Sequence, residues 1–397
     1  MKKYMKILSV NAGSSSLKFQ MYEMPEEKVL ISGTFERIGI GGGFYTIKIN
    51  GEKIKKEKEL ADHSVAVQTL IDELLENKVI ESLDEIKGVG HRIVHGGEKY
   101  ASSVIINDDV IKTVEELSSL APLHNPANLI GVRTFMELIP NATQVGCFDT
   151  AFHQTMAKRE FLYPVPYEWY EKYGVRRYGF HGMSHNYIAN RTAEILENPN
   201  ARIISCHIGN GGSLCAIKDG KSIDTSMGFT PNAGLMMGSR SGDIDCTLIP
   251  YIMDKTGESL EEVINDLNKK SGYLGVSGIS SDSRDIEDAA AQGNERAILA
   301  QDMYVEKIVN YIAEYYLELG GADAIVFTAG VGENSKATRK AIIDRLAPLG
   351  IKIDEEANNV RGEEKLISTE DSTVKVYIIP TDEEVMIARD TFNFINK

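Results

Sequence analysis

Two stretches of this chain are so alike that they dictate its architecture. Ile7-Leu8-Ser9-Val10-Asn11-Ala12-Gly13-Ser14-Ser15-Ser16-Leu17-Lys18-Phe19 is an apolar run, a small polar turn and a second run. Ile203-Ile204-Ser205-Cys206-His207-Ile208-Gly209-Asn210-Gly211-Gly212-Ser213-Leu214-Cys215-Ala216 repeats the pattern with one extra residue in the turn. Each reads as a β-hairpin. Their recurrence reads as a duplication in which each half of the chain opens on its own hairpin. A chain of 397 residues, 42% of them hydrophobic, has the length and the core material for two or three domains.

The rest of each half mixes strands with amphipathic helices. Within 65–75, apolar Val65, Val67, Leu70, Ile71, Leu74 and Leu75 recur at helical spacing. The run 86–94, broken by Gly88 and Gly90, suits a buried strand entering the loop His95-Gly96-Gly97. The stretch 297–319 reads as a helix, 324–328 as the strand after it, and Ile351-Lys352-Ile353 as a further strand. Such alternation predicts an α/β fold with helices packed on sheets. No Pro-rich or Ser-rich linker marks a boundary, so the duplication alone puts it near Thr150.

Lysines and arginines number 43 against 58 acids, a formal charge of −15 that repels nucleic acid and anionic lipid. Any phosphate site must therefore be local. Cys147, Cys206, Cys215 and Cys246 lack CxxC spacing and read as reduced core residues rather than zinc ligands or disulfides. The apolar run after Met1-Lys2-Lys3 stops at Asn11, too short for an export signal. No segment approaches the roughly 18 apolar residues of a membrane span, so a cytoplasmic protein is expected.

The hairpin turns offer backbone N–H groups to phosphate oxygens, at Asn11 to Ser16 with Lys18 nearby and at His207 to Gly212. A third glycine loop, Thr328-Ala329-Gly330-Val331-Gly332-Glu333-Asn334-Ser335, follows an apolar strand and precedes a helical run near Lys336. It imitates a dinucleotide fingerprint, with Asp354 where a ribose-binding acid would stand. Ser335 in place of the third glycine, and Glu333 beside the would-be pyrophosphate, argue for a nucleoside-contacting loop instead. The pairs His91/His95 and His181/His185 have zinc-like spacing. Neither carries the HExxH glutamate, and neither falls in a helical pattern; His63, His95 and His153 read as structural. Arg92, Arg176, Arg177, Arg240 and Arg284 lie beside glycine or aromatic residues and suit a carboxylate-plus-phosphate site. Asp149 and Glu383 follow apparent strands and are candidate ligands for Mg²⁺, which needs one or two carboxylates plus phosphate oxygens.

At this point the chain resembles the acetokinase family, end to end. The motifs are Ser9 to Lys18, Gly90-His91-Arg92-Ile93-Val94-His95-Gly96-Gly97, Ala121-Pro122-Leu123-His124-Asn125-Pro126, Phe148-Asp149-Thr150-Ala151-Phe152-His153, Arg177-Tyr178-Gly179-Phe180-His181-Gly182, and the two nucleotide loops. The resemblance implies duplicated ribonuclease-H-like domains of the actin-like ATPase fold with a central active-site cleft, a homodimer, and ATP-dependent phosphorylation of acetate. It implies an acceptor-site domain over 1–150, completed by a C-terminal helix at 384–397, and a nucleotide-binding domain over 151–383. Carried over position by position, Arg92 holds the carboxylate, Asp149 is the acidic active-site residue, and His181 and Arg240 stabilise the transferring phosphoryl group. Val94, Leu123, His124, Phe180 and Pro231 line the acetate site. ATP or ADP contacts Lys18, His207, Ile208, Gly209, Asn210, Gly211, Asp282, Ser283, Arg284, Gly330, Val331, Gly332, Glu333 and Asn334. Asn11 and Glu383 hold Mg²⁺, with Mn²⁺ as the alternative ion. One departure is Asp382, where the family often has Asn.

Acetate, like Asp and Glu with a reference pKa of roughly 4, is ionised at neutral pH, so the implied reaction needs no general base. Its difficulty is bringing two anions together, which calls for cations and a metal. Asp149 is then expected to orient rather than to remove a proton. The rivals are a propionate or butyrate kinase, differing in pocket depth, and an ATP-driven conformational switch of the same fold without a small-molecule acceptor.

Overall fold

The computed structural model describes residues 4–122 and 124–397. The chain forms two compact units, Met1–Phe152 with Asp382–Lys397, and His153–Thr381.

The first unit is built on an eight-stranded sheet of order β5-β4-β3-β2-β1-β6-β8-β7. Its strands are β1 (Met5–Ala12), β2 (Ser16–Met24), β3 (Lys28–Glu36), β4 (Phe44–Ile49), β5 (Glu52–Glu57), β6 (Ile86–Ile93), β7 (Val104–Ile105) and β8 (Thr143–Phe148). β1 and β2 form the expected antiparallel hairpin, and β1, β6 and β8 run parallel. Parallel strands are covered on both faces, which is why β6 and β8 are almost wholly buried. The edge strand β5 carries Lys53, Lys55 and Lys56, charges that discourage pairing with another chain. The helix His63–Glu76 starts on Asp62, whose carboxylate accepts from Val65 N at 2.9 Å, and buries Ala66, Val67, Leu70, Ile71 and Leu74. On β6, a Cβ at Gly90 would stand 2.3 Å from Ile387 Cγ2, and one at Gly88 2.6 Å from Thr391 Cγ2. Only glycine lets the C-terminal helix Glu383–Ile395 lie this close to the strand.

The second unit holds a six-stranded sheet, β11-β10-β9-β12-β14-β13. These are β9 (Arg202–Ile208), β10 (Gly212–Lys218), β11 (Lys221–Thr225), β12 (Ala324–Thr328), β13 (Lys365–Leu366) and β14 (Lys375–Ile378). β9 pairs antiparallel with β10 and parallel with β12, which pairs parallel with β14. The order β11-β10-β9-β12-β14 therefore repeats β3-β2-β1-β6-β8 of the first unit, a hairpin followed by parallel strands. Behind this sheet the helix Glu295–Glu318, capped by Asn294, buries Ala297, Ala300, Tyr304, Ile308, Ile312 and Tyr315 at spacings of three and four.

Four local expectations need correction. Ile351-Lys352-Ile353 is not a strand; only Ile353 makes an isolated bridge, to Ser368. The loop at Gly330 is a short helix, Ala329–Asn334. His185 lies in the helix Gly182–Ile195, with His181 at its N-cap, so that pair does share a helical start. Cys246 is exposed, unlike the buried Cys147, Cys206 and Cys215. No helix among the described residues is long and apolar enough to cross a membrane.

Candidate active site

In the first unit the functional candidates come from neighbouring parallel strands that end on the same edge: Asn11 from β1, Arg92 from β6, and Asp149 just after β8. This register brings together side chains far apart in sequence. Arg92 Nε donates to Asp149 Oδ1 at 3.0 Å and its NH2 to Oδ2 at 2.5 Å, while NH1 makes a long 3.4 Å contact with Asn11 Oδ1. The Asp149 carboxylate is 1% exposed, so it fixes the plane of the guanidinium. The fork expected to grip a substrate carboxylate is thus already shared with Asp149, and NH1 is the edge left with the weakest contact. Burial, then the Asp149 and Glu384 charges, push the Glu383 carboxyl up to about 7 against the pull of Arg92. Asp382, the departure from the family pattern, caps the helix Glu383–Ile395: its Oδ1 accepts from Val385 N at 2.9 Å and from the Tyr22 hydroxyl at 3.2 Å. Asp and Asn serve equally well as caps. Lys18 pairs with Glu384 in this same unit. Val94 is buried, with its N–H held by Asn128 Oδ1 at 3.0 Å. His124 is exposed at the N-cap of the helix Asn125–Leu138, and Leu123 lies outside the described residues.

The second unit carries the other candidates. A Cβ on Gly211 would stand 3.3 Å from Arg240 NH1 and 3.9 Å from His181 Cε1, so this turn, Arg240 and His181 adjoin. Arg240 NH1 donates to Pro231 O at 3.2 Å, and among the described residues no carboxylate pairs with it. Burial without a counter-ion pulls its guanidinium pKa down. His181 is held at φ 56°, a left-handed conformation rare outside glycine. Its ring stacks on His207, with centroids 4.0 Å apart.

A cavity of about 740 Å³ in the second unit collects Gly209, Asn210, Asp282, Ser283, Arg284, Gly330, Val331 and Asn334 from the predicted nucleotide residues. That size suits a ligand as large as a nucleotide. His207, Gly211, Gly332 and Glu333 do not line it, and the Ile208 side chain is fully buried in the core. Gly238, Tyr273, Ser281, Glu287, Ser335 and Arg361 line it and were missed. Ser335 carries a signal, since it stands where a dinucleotide fingerprint has its third glycine. Glu333 explains why this region is no dinucleotide site: its Oε1 accepts from Ala329 N at 2.7 Å and from Thr381 N at 3.2 Å, using donors a pyrophosphate would need.

Other candidates are structural. His91 Nε2 bonds Gln144, and both nitrogens of His185 bond serines. Arg176 is buried with its guanidinium 3.7 Å from the Phe161 ring centroid, and Arg177 donates to Asp224 and to Thr225 O. Arg284 is exposed and paired with Asp282. Glu160, Asp224 and Glu318 place carboxylate oxygens within 4.8 Å of one another, but Arg159 and Arg177 already engage two of the three.

Twice in one chain, then, a hairpin leads into parallel strands, and this architecture is the actin-like ATPase fold. The family model described as "Acetokinase family" matches residues 6–389, and the chain belongs to that family. It is 56% identical over 393 residues to an acetate kinase of Bacillus cytotoxicus, covering 98% of this chain and 99% of the relative. Among solved structures it is similar to Porphyromonas gingivalis acetate kinase, with a TM-score of 0.94 and 49% identity over 99% of this chain and 100% of the other. It is also similar to a Francisella tularensis propionate kinase, with a TM-score of 0.93 and 41% identity over 98% and 99%.

Proposed function

We propose that the chain transfers the γ-phosphoryl group of ATP reversibly to acetate, giving acetyl phosphate and ADP. The observation that carries this reading is Arg240, a largely buried guanidinium beside a glycine turn and a strained histidine, with no carboxylate among the described residues to neutralise it. Such a group is costly unless an anion arrives, and a phosphoryl group in transfer is such an anion. A conformational switch would need the nucleotide cavity but not a second arginine centre at Arg92.

In this reading an acetate oxygen attacks the γ-phosphorus in line as the bridging oxygen leaves with ADP. No proton moves, because the acceptor is already a carboxylate. Arg92, steadied by Asp149, orients the acetate; His181 and Arg240 donate to the phosphoryl oxygens as their charge spreads. Val94, Phe180 and Pro231, with Leu123 and His124, supply the surface for the acyl end. Gly209, Asn210, Asp282 to Arg284, Gly330, Val331 and Asn334 hold the nucleotide.

Asn11 and Glu383 would hold Mg²⁺. The donor set fits: both offer oxygen, and Glu383 is destabilised as an anion by burial and then by Asp149 and Glu384, a strain that a divalent cation relieves. When bound, the ion neutralises phosphate charge. A cytoplasmic homodimer is the assembly and compartment this reading carries.

The test is a hydroxylamine trap for acyl phosphate with acetate, propionate and butyrate. Acetyl hydroxamate should dominate at equal concentrations. Preferential trapping of propionate would shift the substrate, and ATP hydrolysis without any trapped product would favour the switch.

A further inference from the structure

Three buried side chains outside the reacting groups lead to His181. His181 Nδ1 lies 2.9 Å from Ser213 Oγ. The same Oγ lies 2.8 Å from His185 Nε2, and His185 Nδ1 lies 2.9 Å from Ser205 Oγ. Ser205, Ser213 and His185 are all fully buried. The chain Ser205–His185–Ser213–His181 thus has three links and must be filled with hydrogens consistently.

Burial and the neighbouring His153 and His207 rings hold His185 in its neutral form, which has a single N–H. Two senses are then possible. In the first, Ser205 donates to His185 Nδ1, His185 Nε2–H donates to Ser213, and Ser213 donates to His181 Nδ1. In the second, every donor and acceptor is reversed. The second sense makes Ser205 an acceptor from His185 and leaves the Ser205 hydroxyl hydrogen, sealed inside β9, with no other side-chain bond to make. The first sense gives both serine hydrogens and the His185 hydrogen an acceptor. It also leaves Nδ1 of His181 as the accepting atom, so a neutral His181 carries its proton on Nε2.

We propose that Ser213 and His185 are positioning residues that hold His181 in the Nε2–H tautomer, so that this ring presents a donor to a phosphoryl group that offers only acceptors. The proposal rests on the reading above that His181 contacts the transferring phosphoryl group. The stacking on His207 fixes the plane of the ring. His207, stacked on His181, is itself bonded through Nδ1 to Ser184 Oγ at 2.8 Å, and Ser184 bonds Thr381 at 2.9 Å.

The experiment uses the full chain labelled with ¹⁵N at histidine. The His181 resonances, identified by their loss in His181→Gln, should report a protonated Nε2 and an unprotonated Nδ1. Ser213→Ala should convert them to a tautomer mixture and lower kcat about tenfold, with the KM values for acetate and ATP within twofold of wild type. Ser213→Thr, which keeps the hydroxyl, and His185→Gln, which keeps an N–H near the Nε2 position, should retain most of the rate. A wild-type His181 protonated on Nδ1 alone overturns the proposal without any variant having to fold. So does a Ser213→Ala enzyme with wild-type kcat. If instead His181→Gln itself turns over at the wild-type rate, the role given to His181 fails, while the tautomer measurement still decides the relay.

Discussion

Asp149 holds Arg92 by two parallel hydrogen bonds, 3.0 Å from Nε and 2.5 Å from NH2, so the guanidinium meets any ligand with its orientation already set. A lysine keeps the charge but cannot span both oxygens of Asp149. Arg92→Lys should therefore raise the acetate KM by about 10- to 100-fold and leave the ATP KM close to wild type. Steady-state kinetics with each substrate varied in turn would check this; an unchanged acetate KM removes Arg92 from the acceptor site.

Arg240→Ala should lower kcat by about 10³ to 10⁵, the range for cationic stabilisers of phosphoryl transfer, with smaller effects on both KM values. The lysine variant should recover little of that loss, since a point charge lacks the planar fork. Near-wild-type turnover in Arg240→Lys would mean that charge alone suffices.

Gly238 separates nucleotide binding from acceptor binding. A Cβ there would stand 2.0 Å from Asn210 Oδ1 and 2.7 Å from Ser281 O, and all three residues line the cavity. Gly238→Ala should displace Asn210 and raise the ATP KM several-fold while the acetate KM holds. An effect confined to acetate would assign this cavity to something other than the nucleotide.

Val94→Ala removes two methyl groups from a buried side chain. Room for one added methylene is worth about 1 to 3 kcal/mol, or roughly 10- to 200-fold in kcat/KM discrimination. Propionate should gain on acetate, mainly through its KM. A fixed acetate-to-propionate ratio would take Val94 out of the acyl site.

A fifth expectation concerns pH and lies away from the active site. Burial, then Asp224, Glu160 and Glu314, raise the Glu318 carboxyl from 4.5 to about 7, against Arg159, and its buried Oε1 has no hydrogen-bond partner. The folded chain thus keeps a proton that the unfolded chain releases, so stability falls as pH rises from about 4.5 to 7. Glu318→Gln abolishes that loss. Thermal melts should show the variant equal to wild type near pH 4 and more stable at pH 8; a difference independent of pH would refute the assignment.

Much of this arrangement could be read from residues alone, and the exceptions have physical reasons. Both hairpins and the strand Ala324–Thr328 are visible because unbroken apolar runs in parallel sheets are covered on both faces. Ile351-Lys352-Ile353 has the alternation of a strand, yet Lys352 N bonds the Ser372 hydroxyl at 3.0 Å instead of a ladder. Ala329–Asn334 carries two glycines, poor helix formers, and is held helical by the Glu333 carboxylate at its own start, a contact no periodicity reveals. Arg92 and Asp149 were each legible as candidates through family motifs. That they bind each other depends on β6 and β8 lying side by side, which spacing in the chain does not state.

The helix Glu383–Ile395 has a consequence for biogenesis. It closes on the bare backbone of Gly88 and Gly90, in a unit whose other strands are made first, while the whole of the second unit is translated in between. During synthesis the nascent sheet around β6 must wait, with an apolar face uncovered, until residues 383–395 have emerged from the ribosome. A chain that stopped just before residue 383 would leave that face of the sheet uncovered.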